Sequence, residues 1–143
     1  MATELDHTFS TTKSIDDSFA SILDLERVVP AVEGGRVLET TGPGSVKAEI
    51  VMKMGAMSMK LLGTVEVVEQ DAEAHRALLR VKSRESGGQG HANADVTFQL
   101  NDGGGTIHTH AQITGKAASM GEGVVIGVLD ALIKDFTGKL GQI

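Results

Sequence analysis

The sequence predicts an α+β fold in which a curved antiparallel sheet wraps around one long C-terminal helix. Two observations predict the sheet: apolar and polar residues alternate from Arg36 to Thr114, and glycine-rich turns divide that region into short strands. A third predicts the helix, since apolar residues between Ala117 and Leu140 recur with a period near 3.6. Short turns between successive strands favour antiparallel neighbours, and the wide apolar face of the helix needs the sheet to cover it.

The first elements are one strand and two short helices. Alternation from Leu5 to Ser10 predicts a half-buried strand. Ser14 is a suitable N-cap for a helix that ends near Leu23. A second short helix is expected from Asp24 to Val29, broken at Pro30 because the residue before a proline disfavours helical geometry.

Six further strands and the long helix follow. The alternation predicts strands Arg36–Thr41, Ser45–Met54, Met57–Glu69, Ala74–Glu85, Gln89–Leu100 and Thr106–Thr114, before a helix from Ala117 to Leu140.

Composition excludes several classes of function. The length of 143 residues predicts one domain, residues 1–143. The absence of cysteine excludes disulfides, thiolate nucleophiles and cysteine zinc sites, and fits a reducing cytoplasm. A net charge of −6 and the absence of Trp and Tyr argue against nucleic acid as a partner. We expect neither a signal peptide nor a membrane-spanning helix.

Three stretches carry a resemblance to a known family. Residues 24–30 are DLERVVP, and residues 52–59 are MKMGAMSM with Gly63-Thr64 beyond them. Residues 88–92 are GQGHA, and residues 113–117 are ITGKA, leading to Gly121-Glu122-Gly123. In these stretches the chain resembles the carbon monoxide dehydrogenase CoxG family, a branch of the START-like (SRPBCC) superfamily with the helix-grip fold.

The resemblance implies a function without catalysis. A member of this family is expected to be an accessory of a molybdenum-containing carbon monoxide dehydrogenase that ties the enzyme to the membrane. It would be cytoplasmic and peripheral at the inner face of the cell membrane. The fold implies a hydrophobic small molecule between sheet and helix, and we expect an isoprenoid quinone, menaquinone or ubiquinone.

The interior of the predicted fold is short of large side chains. A void there would forfeit ~24 cal/mol per Å³ unless a ligand filled it, so an open cavity competes with a closed core. The small residues expected on its two sides are Ala48, Gly63, Ala77, Ala92, Ala94 and Ala111 of the sheet, and Gly121, Gly123 and Gly127 of the helix.

The candidate ligand-binding residues are the larger apolar side chains expected to face that interior. They are Phe9, Phe19, Met52, Met59, Leu61, Leu79, Val81, Phe98, Met120, Val124, Val125, Val128 and Leu132. Four methionines, Met52, Met54, Met57 and Met59, crowd one hairpin. They would form either a flexible lip at the cavity entrance or ordinary hairpin packing, because methionine adapts to irregular apolar partners.

The histidines offer a weaker signal. His108 and His110 share one strand face, and Asp95 and His91 of the neighbouring strand would complete a set of metal ligands. That face is expected to be solvated, so we predict no metal site. His7 alternates with apolar residues and points inward, either as a structural histidine or as a partner for a ligand carbonyl.

Three functions remain open at this point. The first is a carrier that relays a quinone between the dehydrogenase and the membrane. The second is a membrane-recruitment module with a filled interior and no ligand. The third is a small superfamily enzyme, a cyclase or hydrolase, although we find no catalytic residues in the sequence.

Overall fold

A computed structural model describes residues 1–88 and 90–143. Its elements in chain order are β1 (Ala2–Ser10), α1 (Ile15–Leu23), α2 (Leu25–Ala31), β2 (Gly35–Gly42), β3 (Ser45–Met54), β4 (Met57–Asp71), β5 (Arg76–Glu85), β6 (His91–Asn101), β7 (Gly104–Ile113), α3 (Lys116–Ser119) and α4 (Glu122–Leu140).

The strands form one antiparallel sheet in the order β1-β7-β6-β5-β4-β3-β2. Strands β2 to β7 form a meander. The first strand of the chain, β1, pairs with the last, β7, along its whole length. The predicted α+β fold, a curved antiparallel sheet with a C-terminal helix, is confirmed. Strand ends differ from prediction by a few residues; β6 begins at His91, and its predicted first residue, Gln89, lies outside the described residues.

The two short helices show one difference from the sequence expectation. Ser14 caps α1 as predicted, and its hydroxyl accepts a hydrogen bond of 3.1 Å from the backbone N–H of Asp17. Helix α2, however, runs through Pro30 to Ala31 instead of breaking at the proline. Val28, Val29 and Ala31 are all buried, so packing on this short helix outweighs the hydrogen bond that proline cannot donate.

The C-terminal helix is not continuous, which corrects the prediction of one helix from Ala117 to Leu140. A single turn, α3, ends at Ser119, and α4 begins at Glu122. Between them Gly121 has φ +102°, a conformation outside the helical region that favours glycine. This residue separates the two helices and sets the direction of α4.

The core consists of two apolar clusters at opposite ends of α4. Phe98, Phe136 and Leu140 belong to the first, the phenylalanine cluster. Met54 and Val125 belong to the second, the methionine cluster, whose other members are Met59, Leu61, Ile113 and Ala117. The closest approaches of α4 are to β1, α2 and β3, at or near the margins of the sheet. The middle of the helix therefore crosses the centre of the sheet without closing on it.

Candidate functional site

An apolar cavity of about 240 Å³ lies between the sheet and α4. The sheet side is formed by strands β2 to β7, and α2 contributes at one margin. The helix side is formed by Val125, Val128, Leu129, Leu132, Ile133 and Phe136.

The sheet side is hollow because small residues align across it. Ala48, Gly63, Ser83 and Ala92 are register partners across four adjacent strands, and all four line the cavity. Only glycine fits at position 63, because a Cβ atom there would collide with the backbone carbonyl of Lys82. Ala48, Gly63 and Ala92 are small residues that the sequence predicted for this side, whereas Ser83 was not among them.

The side chains on the helix side are also incompletely packed. Val128, Leu129, Leu132 and Ile133 point toward the sheet, yet each is only half-buried. In a closed core, side chains of this kind lose nearly all their accessible surface. Their residual exposure follows from the space between them and the sheet, so an open cavity, not a packed core, describes this interior.

Most of the predicted lining residues lie on the cavity surface. Those that do are Met52, Met59, Leu61, Leu79, Val81, Phe98, Val125, Val128 and Leu132.

Four predicted lining residues lie elsewhere. Phe9 and Phe19 are buried in the phenylalanine cluster, away from the cavity. Met120 packs against the methionine cluster at the junction of α3 and α4. Val124 is 43% exposed, because Val125, one helical step further, occupies the inward direction.

The expected small residues need a similar correction. Gly121, Gly123 and Gly127 are exposed, and a Cβ atom at each would meet open space. They do not shape the cavity. Ala77 is 1% exposed but packs in the phenylalanine cluster instead of lining the cavity.

The hairpin methionines pack in the core, which was one of the two roles predicted for them. Met52 pairs with Met59, and Met54 with Met57, across the β3–β4 hairpin. Met54 and Met59 are buried in the methionine cluster and also line the cavity. Packing of the hairpin therefore forms one end of the cavity.

Thr109 is a cavity residue that the sequence analysis missed. It lies on β7 between Ile107 and Ala111, on the same inward face, and it is 5% exposed. Its hydroxyl oxygen has no hydrogen-bond partner within residues 1–88 and 90–143. Alternation along β7 was sufficient to place it inward, since it has the parity of its apolar neighbours.

His7 is buried as predicted and ties β1 to α4. Its Nε2 lies 2.7 Å from Oδ1 of Asp130, and because a carboxylate only accepts, the imidazole donates this hydrogen bond. Lys134 first and His7 second hold the pKa of Asp130 below its usual value. His7 is not a lining residue, so the structural role considered for it is the one that the geometry supports.

The outward histidines lie within hydrogen-bonding distance of carboxylates on β1. His108 Nδ1 lies 2.6 Å from Asp6, and His110 Nδ1 lies 3.4 Å from Glu4. Hydrogen bonding to Asp6 raises the pKa of His108. Arg80 binds Asp95 at 2.8 Å and lowers the pKa of that carboxyl group. Within the described part of the chain, no group of three potential ligands could hold a metal ion.

The fold and the cavity together define a class of protein. A curved antiparallel sheet that grips a C-terminal helix around an apolar cavity is the helix-grip arrangement of START-like proteins. The sequence model for the CoxG subunit of carbon monoxide dehydrogenase matches residues 8–142. The chain therefore belongs to the CoxG family, as its sequence resemblance predicted.

Solved structures agree on the fold. A conserved protein from Geobacillus kaustophilus is 21% identical, with a TM-score of 0.77, over 99% of this chain and 93% of its own. A START superfamily protein from Mycobacterium smegmatis is 11% identical, with a TM-score of 0.59, over 97% of both chains. The ZhuI aromatase/cyclase from Streptomyces sp. R1128 is 11% identical, with a TM-score of 0.60, over 98% of this chain and 94% of its own. At these identities the likeness concerns the fold alone.

No curated protein matches the chain. The family and the fold suggest an accessory protein that binds a hydrophobic ligand, and the family's name implies association with carbon monoxide dehydrogenase. None of the helices in the described residues has the length and apolar character needed to cross a bilayer.

Proposed function

We propose that this protein holds an isoprenoid quinone, menaquinone or ubiquinone, and carries it between a molybdenum carbon monoxide dehydrogenase and the inner face of the cytoplasmic membrane. The observation that carries the proposal is the apolar cavity beneath α4. Family membership supports the choice of partner. On this proposal the protein is not an enzyme, and it is cytoplasmic and peripheral at the membrane.

The chemistry of the partner favours a quinone as the ligand. Oxidation of carbon monoxide releases electrons, and a respiratory quinone is the usual acceptor at a membrane. The isoprenoid tail of a quinone cannot cross water unshielded. Burial of its apolar surface stabilises a complex by ~25 cal/mol per Å², which supports a carrier with an apolar interior.

The size of the cavity limits how the quinone would fit. Ligand sites usually enclose roughly 300–1,000 Å³, so about 240 Å³ is small for a complete isoprenoid quinone. It suits the ring and the first part of the tail. A longer tail requires α4 to move away from the sheet. The contacts of α4 with the sheet lie mainly on β1 and β3, and Gly121 precedes the helix, so α4 is the element whose displacement would lengthen the cavity.

Extraction of the purified protein tests the proposal. Protein made in a quinone-producing host is extracted with organic solvent, and the extract is analysed by mass spectrometry beside that of an Ala94→Leu variant with a partly filled cavity. We expect a redox-active quinone from the wild type and much less from the variant. Equal recovery from both would place the quinone outside the cavity. Recovery of none from the wild type would favour the recruitment module without a ligand.

A further inference from the structure

We propose that the end of the molecule around the methionine cluster docks on an anionic lipid bilayer, with basic side chains on the headgroups and apolar side chains between them. This inference rests on the proposed function, because a carrier must meet the membrane. It adds the surface that makes the contact and the class of lipid that this surface recognises. We call the surface the methionine end, and it comprises residues 51–60, 84–88 and 114–124.

The three segments of the methionine end meet at one margin of the sheet. Residues 54–57 form the tip of the β3–β4 hairpin. The N–H of Ser86, just beyond β5, donates to the carbonyl of Lys60 on β4 at 2.8 Å. The N–H of Thr114, just beyond β7, donates to the carbonyl of His91 on β6 at 2.9 Å. Because the junction of α3 and α4 packs on the same margin through the methionine cluster, these segments form one continuous surface.

The methionine end is basic although the chain as a whole is acidic. Its segments contain four basic side chains and two carboxylates, whereas the net charge of the chain is −6. The exposed basic residues are Lys53, Lys60, Arg84 and Lys116. Glu85 is buried and lies 3.8 Å from Lys116, and Lys60 lies 3.6 Å from Glu49 on β3. Glu122 is therefore the exposed carboxylate of this end, and the surplus of positive charge is available to anionic headgroups.

The opposite end of the sheet has the reverse charge. Residues 13–27, 71–76 and 101–103 hold seven carboxylates and three basic side chains. Strand β6 has 11 residues and separates the two ends by roughly 37 Å at ~3.4 Å per residue. This separation is several times the Debye length of about 8 Å at physiological ionic strength. The acidic end is therefore screened from a membrane that touches the methionine end, and the charge distribution favours this orientation over the reverse one.

Apolar side chains are exposed among the charges of the methionine end. Val124 is 43% exposed near the start of α4, and Val51 is 38% exposed on β3, opposite Lys60. Met57 at the hairpin and Met120 at the junction of α3 and α4 are half-buried. Transfer of such side chains from water to the bilayer interface is favourable, and methionine adapts to an irregular, fluid partner.

Docking in this orientation brings the cavity to the lipid. Met54 and Met59 belong to the methionine cluster, and both line the cavity. The β3–β4 hairpin is therefore part of the cavity surface and part of the docking surface. A hydrophobic ligand that leaves at this end enters the bilayer interface without crossing water. An acidic protein would pair with the basic side chains, but a bilayer accounts for the charges, the exposed apolar side chains and the adjacent cavity together.

Two charge-matched double variants test the surface. Lys53→Gln with Arg84→Gln removes two positive charges from the methionine end, and Arg27→Gln with Arg76→Gln removes two from the opposite end. All four side chains are exposed. Full-length protein is sedimented with quinone-free vesicles, made either of phosphatidylcholine alone or of equal parts of phosphatidylcholine and phosphatidylglycerol. Circular dichroism shows that each variant is folded.

Binding should depend on anionic lipid and on the position of the charges. The wild type should bind the vesicles with phosphatidylglycerol more tightly than those without it, and added salt should weaken this binding. Each basic side chain near an anionic surface contributes about fivefold in affinity, so the variant of the methionine end should bind roughly 25-fold more weakly. The variant of the opposite end should stay within about twofold of the wild type, because its charges are screened.

A matched pair of valine variants tests the apolar part of the surface. Val124→Ser should weaken binding to the anionic vesicles by about threefold, since it removes an apolar side chain from the contact. Val68→Ser is the control, because Val68 is 39% exposed on β4 outside the methionine end, and it should bind as the wild type does.

Three results would overturn the inference. An equal loss in the two double variants would show that net charge governs binding, whatever its position. An equal effect of the two valine variants would show that the methionine end does not enter the bilayer. No binding of the wild type to anionic vesicles would assign the basic surface to an acidic protein partner. None of these results alters the recovery of quinone from the cavity, so the carrier proposal stands or fails separately, on solvent extraction.

Discussion

Filling the cavity from the sheet side should stabilise the ligand-free protein. Ala94 lies on β6, an interior strand of the sheet, lines the cavity beneath α4 and is only half-buried. In a close-packed interior, replacing alanine with leucine is destabilising, because the added carbons have no room. Here they enter space that is already present. We therefore expect Ala94→Leu to raise the free energy of unfolding of delipidated protein.

The magnitude follows from the added carbons and the size of the chain. Leucine buries three more carbons than alanine, each worth ~0.8 kcal/mol, or about 2.4 kcal/mol together. Loss of side-chain rotamer freedom offsets about 0.5–1 kcal/mol of that gain. With an unfolding entropy of about 0.3 kcal/mol/K for a chain of this length, a net gain of ~1.5–2 kcal/mol raises Tm by roughly 5–7 °C.

Ala77→Leu is the matched control. Ala77 lies on the neighbouring strand β5 and faces the same side of the sheet, but it is 1% exposed within the phenylalanine cluster and does not line the cavity. Overpacking at this position should cost ~1–3 kcal/mol. Differential scanning calorimetry of both delipidated variants provides the comparison. If Ala94→Leu lowers Tm as much as Ala77→Leu does, the space beneath α4 is closed in solution and the cavity argument fails.

Two further predictions concern other parts of the chain. Gly127→Ala and Gly138→Ala should each stabilise the protein by ~0.5–1 kcal/mol in urea unfolding, because both positions lie within α4 facing open space, where alanine favours the helix. Gly121→Ala should instead destabilise it, since φ is +102° there; similar gains at all three would contradict this. His108 should titrate above its ordinary pKa by NMR, and Asp6→Asn should return it toward about 6.5. Because the folded-state pKa is raised, the stabilisation from this pair is complete below the ordinary value and is lost as pH rises through the raised one. An unchanged titration in Asp6→Asn would show that another group sets the pKa.

The strands could be predicted from sequence because one face of the sheet is buried and the other is solvated. Alternation with a period of two then identifies both the strands and their inward residues. The same pattern located the small residues of the sheet side, such as Ala94 and Ala111, beneath the helix. It also contained Thr109, which was missed because threonine is not counted among apolar residues. The lack of a hydrogen-bond partner for its hydroxyl depends on side-chain geometry, which a sequence pattern cannot show.

The helix side was harder to predict because apolar residues nearly surround the start of α4. Val124 and Val125 are both apolar, so periodicity alone does not decide which of them points inward. The direction of α4 is set by Gly121 and by its contacts with β1 and β3. For the same reason we expected Gly123 and Gly127 to face the cavity, but both are exposed. The pair of His7 and Asp130, separated by 123 positions, is a tertiary contact that sequence spacing cannot predict.

The attachment of α4 links the stability of this protein to its proposed occupant. The helix is fixed at its ends by two apolar clusters and along β1 by His7, while its middle faces the cavity. A molecule that fills the cavity supplies contacts that the chain itself lacks, and it binds the folded state alone. Such a ligand stabilises the fold by RT ln(1 + [L]/Kd), which is about 2.7 kcal/mol when its concentration is 100 times Kd. The missing contacts lie between α4 and the sheet, so a molecule in the cavity would stabilise the attachment of this helix most directly.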